Sequence, residues 1–224
     1  MVSQGNAPNW RDVDCWVFDL DNTLYHPSVG LLDQVNILMT GFIEDRLKLP
    51  SEEASRLRRT YWQRHGATMV GLHREHGIEP EEFLAVCHDL DLSGLKHDAA
   101  LDDAISGLPG RKIVHTNGPR HHAERVLNAL GLPAHFERII SVEDTGYVPK
   151  PARDAHQGAV DIAGIVPSRA AMIEDSPANL VHPSRMGMRT IWIDDDQTPD
   201  APDHIDYTIS DLTEFLQTVV AAAP

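Results

Sequence analysis

The chain has 224 residues, 42% apolar and 24% charged, enough for a substantial buried core and one or two domains. Its formal net charge of −15 argues against nucleic acid as a partner, because phosphate backbones need Lys and Arg to neutralise them. A small anionic substrate stays open, since one metal ion and one lysine reverse a local field.

Residues 1–11 read as a loose polar lead-in, and residues 1–10 lack the apolar segment of a signal peptide. The longest apolar stretch, 31–39, is interrupted by Asp33, Gln34 and Asn36, so no membrane span is expected. Cys15 and Cys87 lie far apart in sequence and read as two free thiols in a reducing cytosol. The expected location is cytoplasmic.

The first strand is the apolar run that starts at Cys15 and ends at Asp19. Continuous apolar character suits a strand buried on both faces of a parallel sheet. His26-Pro27-Ser28 breaks the chain, and the pattern from 29 to 97 is helical. Leu31, Leu32, Val35, Leu38, Met39, Phe42 and Ile43 recur at three and four, as on an amphipathic helix. Ser51-Glu52-Glu53-Ala54 opens a second helix running to about His65, with Gly66 and Gly71 as punctuation. Glu79-Pro80-Glu81-Glu82 opens a third, with proline suited to the first turn.

The second half alternates. Strand-like runs cover 112–115, 138–141, 170–173, 190–193 and 207–209, with helical patterns over 120–130, 153–163 and 178–186. That alternation implies a parallel sheet with helices on both faces. The first strand needs this sheet for burial. The predicted fold is therefore a doubly wound, Rossmann-like α/β core (1–26 and 98–224) with an all-helical cap (27–97) inserted after strand one. Asp194-Asp195-Asp196 reads as a solvated loop.

Four polar pieces stand at or beyond strand ends, where ligands bind in open α/β sheets. They are Asp19-Leu20-Asp21-Asn22-Thr23, Thr116-Asn117-Gly118-Pro119, Lys150-Pro151 and Glu174-Asp175-Ser176-Pro177. Each has a plain reading alone: a helix cap, a turn, a surface lysine. Two carboxylates one residue apart repel, and both stay ionised only beside a cation. Together the four pieces point to a site.

Asp-x-Asp-x-Thr, then Thr-Asn, then Lys, then Glu-Asp resembles the motif series of the haloacid dehalogenase superfamily, which consists mostly of magnesium-dependent phosphatases. Asp19-Leu20-Asp21-Asn22-Thr23-Leu24-Tyr25, the Gly71-Leu72 pair, and the stretch from Glu143 to Pro151 resemble its pyrimidine 5′-nucleotidase group. The resemblance implies Asp19 as nucleophile, forming an aspartyl-phosphate, and Asp21 as general acid and base. Asp19, Asp175 and the backbone carbonyl of Asp21 are the implied Mg²⁺ ligands, with Glu174 and Asn179 supporting that shell. Thr116 would bind a phosphoryl oxygen, Lys150 would balance charge, and Asn117 and Gly118 would offer N–H groups at a helix N-terminus.

The cap stretch 61–73 resembles the segment that the nucleotidase group places over the substrate. Tyr61, His65 and His73 are the candidate substrate contacts, set against a reading of Tyr61, Trp62 and Met69 as cap interior. A metal cluster of His65, His73 and His76 is disfavoured against a solvated or substrate-facing histidine face. His65 stands where relatives have a tyrosine, and Ala152-Arg153 replaces the usual Asp-Pro pair.

The expected substrate is a small phosphorylated metabolite: a pyrimidine nucleoside 5′-monophosphate, UMP or CMP first. The alternatives are a phosphatase of small sugar phosphates, a phosphomutase, or a non-catalytic nucleotide-binding regulatory protein. Dehalogenation would leave Asp21 and the magnesium acids without a task. Phosphonate cleavage would need a cap lysine, and Lys48 is the only lysine before Lys96.

Overall fold

Strand β1 (Cys15–Phe18) lies at the centre of a six-stranded sheet in a computed structural model that describes residues 10–194 and 198–222. The other strands are β2 (Arg111–His115), β3 (Arg138–Ile140), β4 (Ala170–Glu174), β5 (Arg189–Ile193) and β6 (Tyr207–Ile209). Their order is β3-β2-β1-β4-β5-β6, and every neighbouring pair is parallel. This is the predicted doubly wound α/β architecture, with strand limits within a residue of those read from the apolar runs.

The alternation of β1 explains its position. Trp16 and Phe18 face a cluster containing Ile105, Val126, Leu127 and Leu216, whereas Cys15 and Val17 face Ile113, Ala159, Met172 and Leu180. Helices cover both faces: α5 (Ala99–Gly107), α6 (Arg120–Leu130) and α9 (Leu212–Ala222) on the first, α7 (Arg153–Ala163) and α8 (Val181–Met186) on the second. A strand covered on both sides has no solvated face to make polar, hence its unbroken apolar sequence.

Between β1 and α5 come α1 (Leu31–Leu47), α2 (Ser51–His65), α3 (Thr68–His76) and α4 (Pro80–Cys87). They bury a separate cluster that includes Ile43, Ala54, Tyr61, Leu72, Phe83 and Cys87. Leu31 and Val35, at the start of α1, pack instead into the sheet-side cluster, so the first turns of that helix are anchored on the core. Cys15 and Cys87 are both buried free thiols. Burial pushes them up to about 11 and about 12 respectively. Among the described residues, no helix is long and apolar enough to cross a membrane.

Three helices escaped the sequence reading: α3, α5 and α9. α5 carried a usable signal, because Asp98 accepts from the N–H groups of Ala100 and Leu101 as an N-cap. The segment predicted as a helix over 178–186 starts as a 3-10 turn (Pro177–Leu180) before α8. Asp194 departs from the solvated-loop expectation. It is buried, its N–H donates to the Ile209 carbonyl, and its carboxylate accepts from the Thr198 N–H. Asp195 and Asp196 lie outside the described residues.

Candidate active site

The parallel register sets the strand ends level. Phe18 pairs with Val114 on one side and Ile173 on the other, so Asp19, Thr116 and the Glu174-Asp175 pair emerge at one edge of the sheet. Asp19 is held there by its N–H, which donates to the Ile173 carbonyl. Left-handed backbone at Asn22 (φ 60°) turns the chain back over the strand end. Asparagine tolerates that conformation better than most residues, and its Nδ2 donates to Asp175 Oδ2 at 3.4 Å.

Lys150 is the centre of the charge network. Its Nζ donates to Asp19 Oδ1 at 2.6 Å, Glu174 Oε2 at 2.7 Å and the His115 carbonyl at 2.9 Å. Only 2% of Lys150 and 1% of Glu174 is exposed, so this is a buried ion pair. Asn117 explains how a loop lysine is held so firmly. Its Oδ1 accepts from the Lys150 N–H at 2.7 Å, and its Nδ2 donates to the Lys150 carbonyl at 3.0 Å. The Lys150-Pro151 peptide is cis.

Asp19, Glu174 and Asp175 each present a carboxylate oxygen within 4.8 Å of the others. Burial, then Glu174, pushes Asp19 up to about 7 against the pull of Lys150. Burial also raises Glu174 to about 7 despite Lys150, and raises Asp175. Burial alone would lower Lys150, but Asp19 and Glu174 raise it above the ordinary lysine range. Three carboxylates thus share one ammonium, and the surplus negative charge with all-oxygen donors fits a divalent hard cation such as Mg²⁺. Glu174 is further fixed by Asn179 Nδ2 at 3.0 Å and the Ser176 N–H at 3.3 Å, both to Oε1.

Asp21 has a different environment. Its Oδ1 accepts from the Tyr25 hydroxyl at 2.5 Å and from His122 Nε2 at 2.8 Å. Burial acts to raise this carboxyl, but His122 and the Tyr25 hydrogen bond outweigh it and hold Asp21 below the usual carboxylate value. The histidine was missed by the sequence reading. It sits in the first turn of α6, and one histidine in the pair His121-His122 carries no signal until the helix phase is known.

The second motif differs in detail from expectation. The Gly118 N–H donates to Thr116 Oγ1 at 2.9 Å, so it is engaged inside the loop rather than offered to a phosphate. The next helix N-terminus is likewise occupied: the Arg120 N–H donates to both Glu143 oxygens at 3.1 Å. Asn117 spends its side chain on the Lys150 backbone. Thr116, buried at 2% exposure, keeps its hydroxyl proton free to donate.

The cap residues divide. Tyr61 is interior: 2% of it is exposed, and its hydroxyl meets Glu75 Oε2 at 2.9 Å and His76 Nε2 at 2.7 Å. This corrects its assignment as a substrate contact. Gly71 exists for the same ring, since a Cβ there would lie 2.3 Å from Tyr61 Cγ. His65 pairs with Glu75 Oε1 at 3.2 Å. The nearby Gly66 turn approaches Pro151, whose Cδ would be 4.0 Å from an added Cβ.

His73 lies apart from these, with Nδ1 at 3.2 Å from the Ile78 carbonyl. It lines a cavity of about 290 Å³ between α3, α4 and the loop Gly146–Val148. His65, His73 and His76 therefore form no joint metal set. Across that cavity the Tyr147 hydroxyl donates to Glu81 Oε1 at 2.7 Å, a cap-to-core bond. A larger cavity of about 410 Å³ lies where the two linkers leave the core, lined by Asn22, Tyr25, Val29, Leu95 and Lys96 among others. The charge geometry, not cavity size, marks the site, because the acid cluster lines neither cavity.

Comparison with known proteins agrees with this geometry. The chain is 26% identical over 190 residues to Phosphate metabolism protein 8 of Saccharomyces cerevisiae, covering 76% of this chain and 58% of that protein. It is 30% identical over 101 residues to the validoxylamine A 7′-phosphate phosphatase of Streptomyces hygroscopicus subsp. limoneus, covering 45% of this chain and 47% of that one. The chain thus spans about half the length of these curated relatives. The crystal structure of a HAD phosphatase from Thermococcus onnurineus superposes with a TM-score of 0.65 at 17% identity, covering 94% of this chain and 99% of that chain, a likeness of fold. Residues 13–181 match the haloacid dehalogenase-like hydrolase family, and the chain belongs to that family.

Proposed function

We propose that this protein is a Mg²⁺-dependent phosphomonoesterase that works through an aspartyl-phosphate on Asp19. The observation that carries the reading is the buried carboxylate at the tip of β1, ion-paired to Lys150 at 2.6 Å and clustered with Glu174 and Asp175. Asp19, Asp175 and the backbone carbonyl of Asp21 would hold the cation, with Glu174 and Asn179 steadying them. When bound, Mg²⁺ offsets the charge of the phosphoryl oxygens and of the carboxylates around it.

The chain's own groups then divide the work. Asp19 attacks phosphorus as the bond to the leaving oxygen breaks, and Asp21, in the protonated form that its lowered value makes the minor one, gives that oxygen a proton. Asp21 next takes a proton from water as the water oxygen attacks phosphorus, which frees phosphate and restores Asp19. The Thr116 hydroxyl and Lys150 are fixed donors for charge on the transferring group. The cap excludes water.

Pyrimidine nucleoside 5′-monophosphates are the substrates we favour, on the likeness of motifs in β1 and around Lys150. The burial of Tyr61 removes one candidate base contact and favours a second reading, a small sugar-like phosphate. The Streptomyces relative, a validoxylamine A 7′-phosphate phosphatase, leans the same way. A cytoplasmic setting accords with two buried free cysteines. Phosphate release from p-nitrophenyl phosphate with Mg²⁺, abolished in Asp19→Asn, tests the activity. A kcat/KM for UMP and CMP no better than for glucose 6-phosphate would remove the nucleotide reading.

A further inference from the structure

Asp21 Oδ1 is an oxygen with two donors. Tyr25 reaches it from the strand-end turn and His122 from α6, at 2.5 and 2.8 Å. Both come from the scaffold, and His122 is 1% exposed. The other oxygen, Oδ2, faces Gly118. A Cβ at Gly118 would lie 3.6 Å from it, 3.3 Å from Thr116 Oγ1 and 3.1 Å from His122 Cδ2. Bare glycine therefore keeps open the gap in which Asp21, Thr116 and His122 meet. A carboxyl pinned through one oxygen cannot rotate, so its free oxygen has one direction.

His122 is itself held from the cap. The ring of His88, at the C-terminal end of α4, packs against it with centroids 5.1 Å apart. His88 Nδ1 lies 3.0 Å from the Leu84 carbonyl. Arg125, also on α6, donates to the carbonyls of His88 and Leu90 at 3.3 and 2.7 Å. The end of the cap, the imidazole and the carboxyl thus form one packed line.

We propose that His122 is a positioning residue: with Tyr25 it fixes Oδ1 of Asp21, so that Oδ2 alone exchanges a proton with leaving oxygen and water, and the cap end steadies it through His88. This rests on the phosphomonoesterase reading above. Asp21 acts twice, as acid toward the leaving oxygen and as base toward water, so losing its aim affects the two steps differently. A p-nitrophenolate leaves without needing a proton, whereas an alkoxide does not.

The test compares p-nitrophenyl phosphate with an alkyl phosphate in wild type, Asp21→Asn, His122→Leu and His122→Gln, all with Mg²⁺. Leucine keeps the packing and removes the donor; glutamine can return a donor near the Nε2 position. His122→Leu should give a burst of about one p-nitrophenolate per chain and then a steady state slowed on the order of 10²-fold. Its kcat/KM on the alkyl ester should fall on the order of 10²-fold, with KM within about threefold, and His122→Gln should recover most of the loss.

Should His122→Leu fail to fold by circular dichroism, His122→Asn against His122→Gln decides. The shorter amide cannot reach Oδ1, so asparagine should show the burst and glutamine should not. Equal losses on both esters without a burst, or no loss, overturn the proposal while the behaviour of Asp21→Asn leaves the phosphatase reading standing. A wild type that hydrolyses neither ester overturns both.

Discussion

Two polar clusters can be set side by side: the one at the sheet edge and the one inside the cap. At the sheet edge, Asp19, Lys150 and the adjacent pair Glu174-Asp175 arrive from three separate segments, and their charges do not cancel. In the cap, Tyr61, His65, Glu75 and His76 come from two successive helices and satisfy one another, with Glu75 accepting from Tyr61 and pairing with His65 and Arg64. The first has a surplus of one sign in a buried place, which binding a cation relieves. The second is complete as folded. An unbalanced buried cluster points to a ligand, whereas a balanced one points to architecture.

The largest effect is expected where the balance is most strained. Lys150→Met should lower kcat on the order of 10³-fold and destabilise the fold by about 3–5 kcal/mol. Phosphate release and urea unfolding at neutral pH check both. Stability within about 1 kcal/mol of wild type would mean that the ion pair contributes no more than an exposed one.

Next comes the cap interior. Gly71→Ala puts a methyl group against the Tyr61 ring and should cost about 1–3 kcal/mol by overpacking, read by thermal or denaturant melts. An unchanged melting curve would show that the ring has room to move.

A third prediction concerns pH. His115 and His156 are buried beneath the lysine, with rings 5.4 Å apart. Burial, then Lys150, lowers His115 well below its ordinary value and His156 to about 3, with His182 adding to the latter. Above the unfolded value of about 6.5 both states are neutral, and the rings contribute nothing to the slope. Below it the unfolded chain takes up protons that the folded chain refuses. Each ring should therefore remove about 1.4 kcal/mol of stability per pH unit, until its folded value is reached. His156→Leu should gain on wild type by about 1.4 kcal/mol for each pH unit between pH 6 and pH 4 in paired unfolding curves. Parallel curves would contradict it.

The smallest effect separates the clusters most cleanly. Tyr61→Phe should cost about 1 kcal/mol and leave KM within about twofold for any phosphate ester. A tenfold rise in KM would return Tyr61 to the substrate.

The strands and the sheet-edge acids were legible because each carries a local mark: an apolar run of strand length, then a polar residue where the run stops. Parallel pairing does the rest, since level strand ends bring Asp19, Thr116 and Glu174 together. What was not legible depends on side-chain direction. His122 reaches Asp21 only because α6 has a particular phase. Tyr61 faces inward only because Gly71 leaves space across the helix pair. The Gly118 N–H has the right chemistry for holding phosphate, yet donates to Thr116 Oγ1 at short range, and the Asn117 side chain holds the Lys150 backbone. α9 follows the last strand with a plain apolar period, and its start is marked only by Asp211, which accepts from the Glu214 N–H.

The covalent step on Asp19 is tested most directly by rapid acid quench of Asp21→Asn during turnover of p-nitrophenyl phosphate with Mg²⁺, followed by peptide mapping. Removing the base that activates water should leave about one hydroxylamine-labile phosphoryl group per chain, on the peptide containing Asp19. Product formation with no covalent phosphate, or with the phosphate on another residue, would contradict a nucleophilic Asp19.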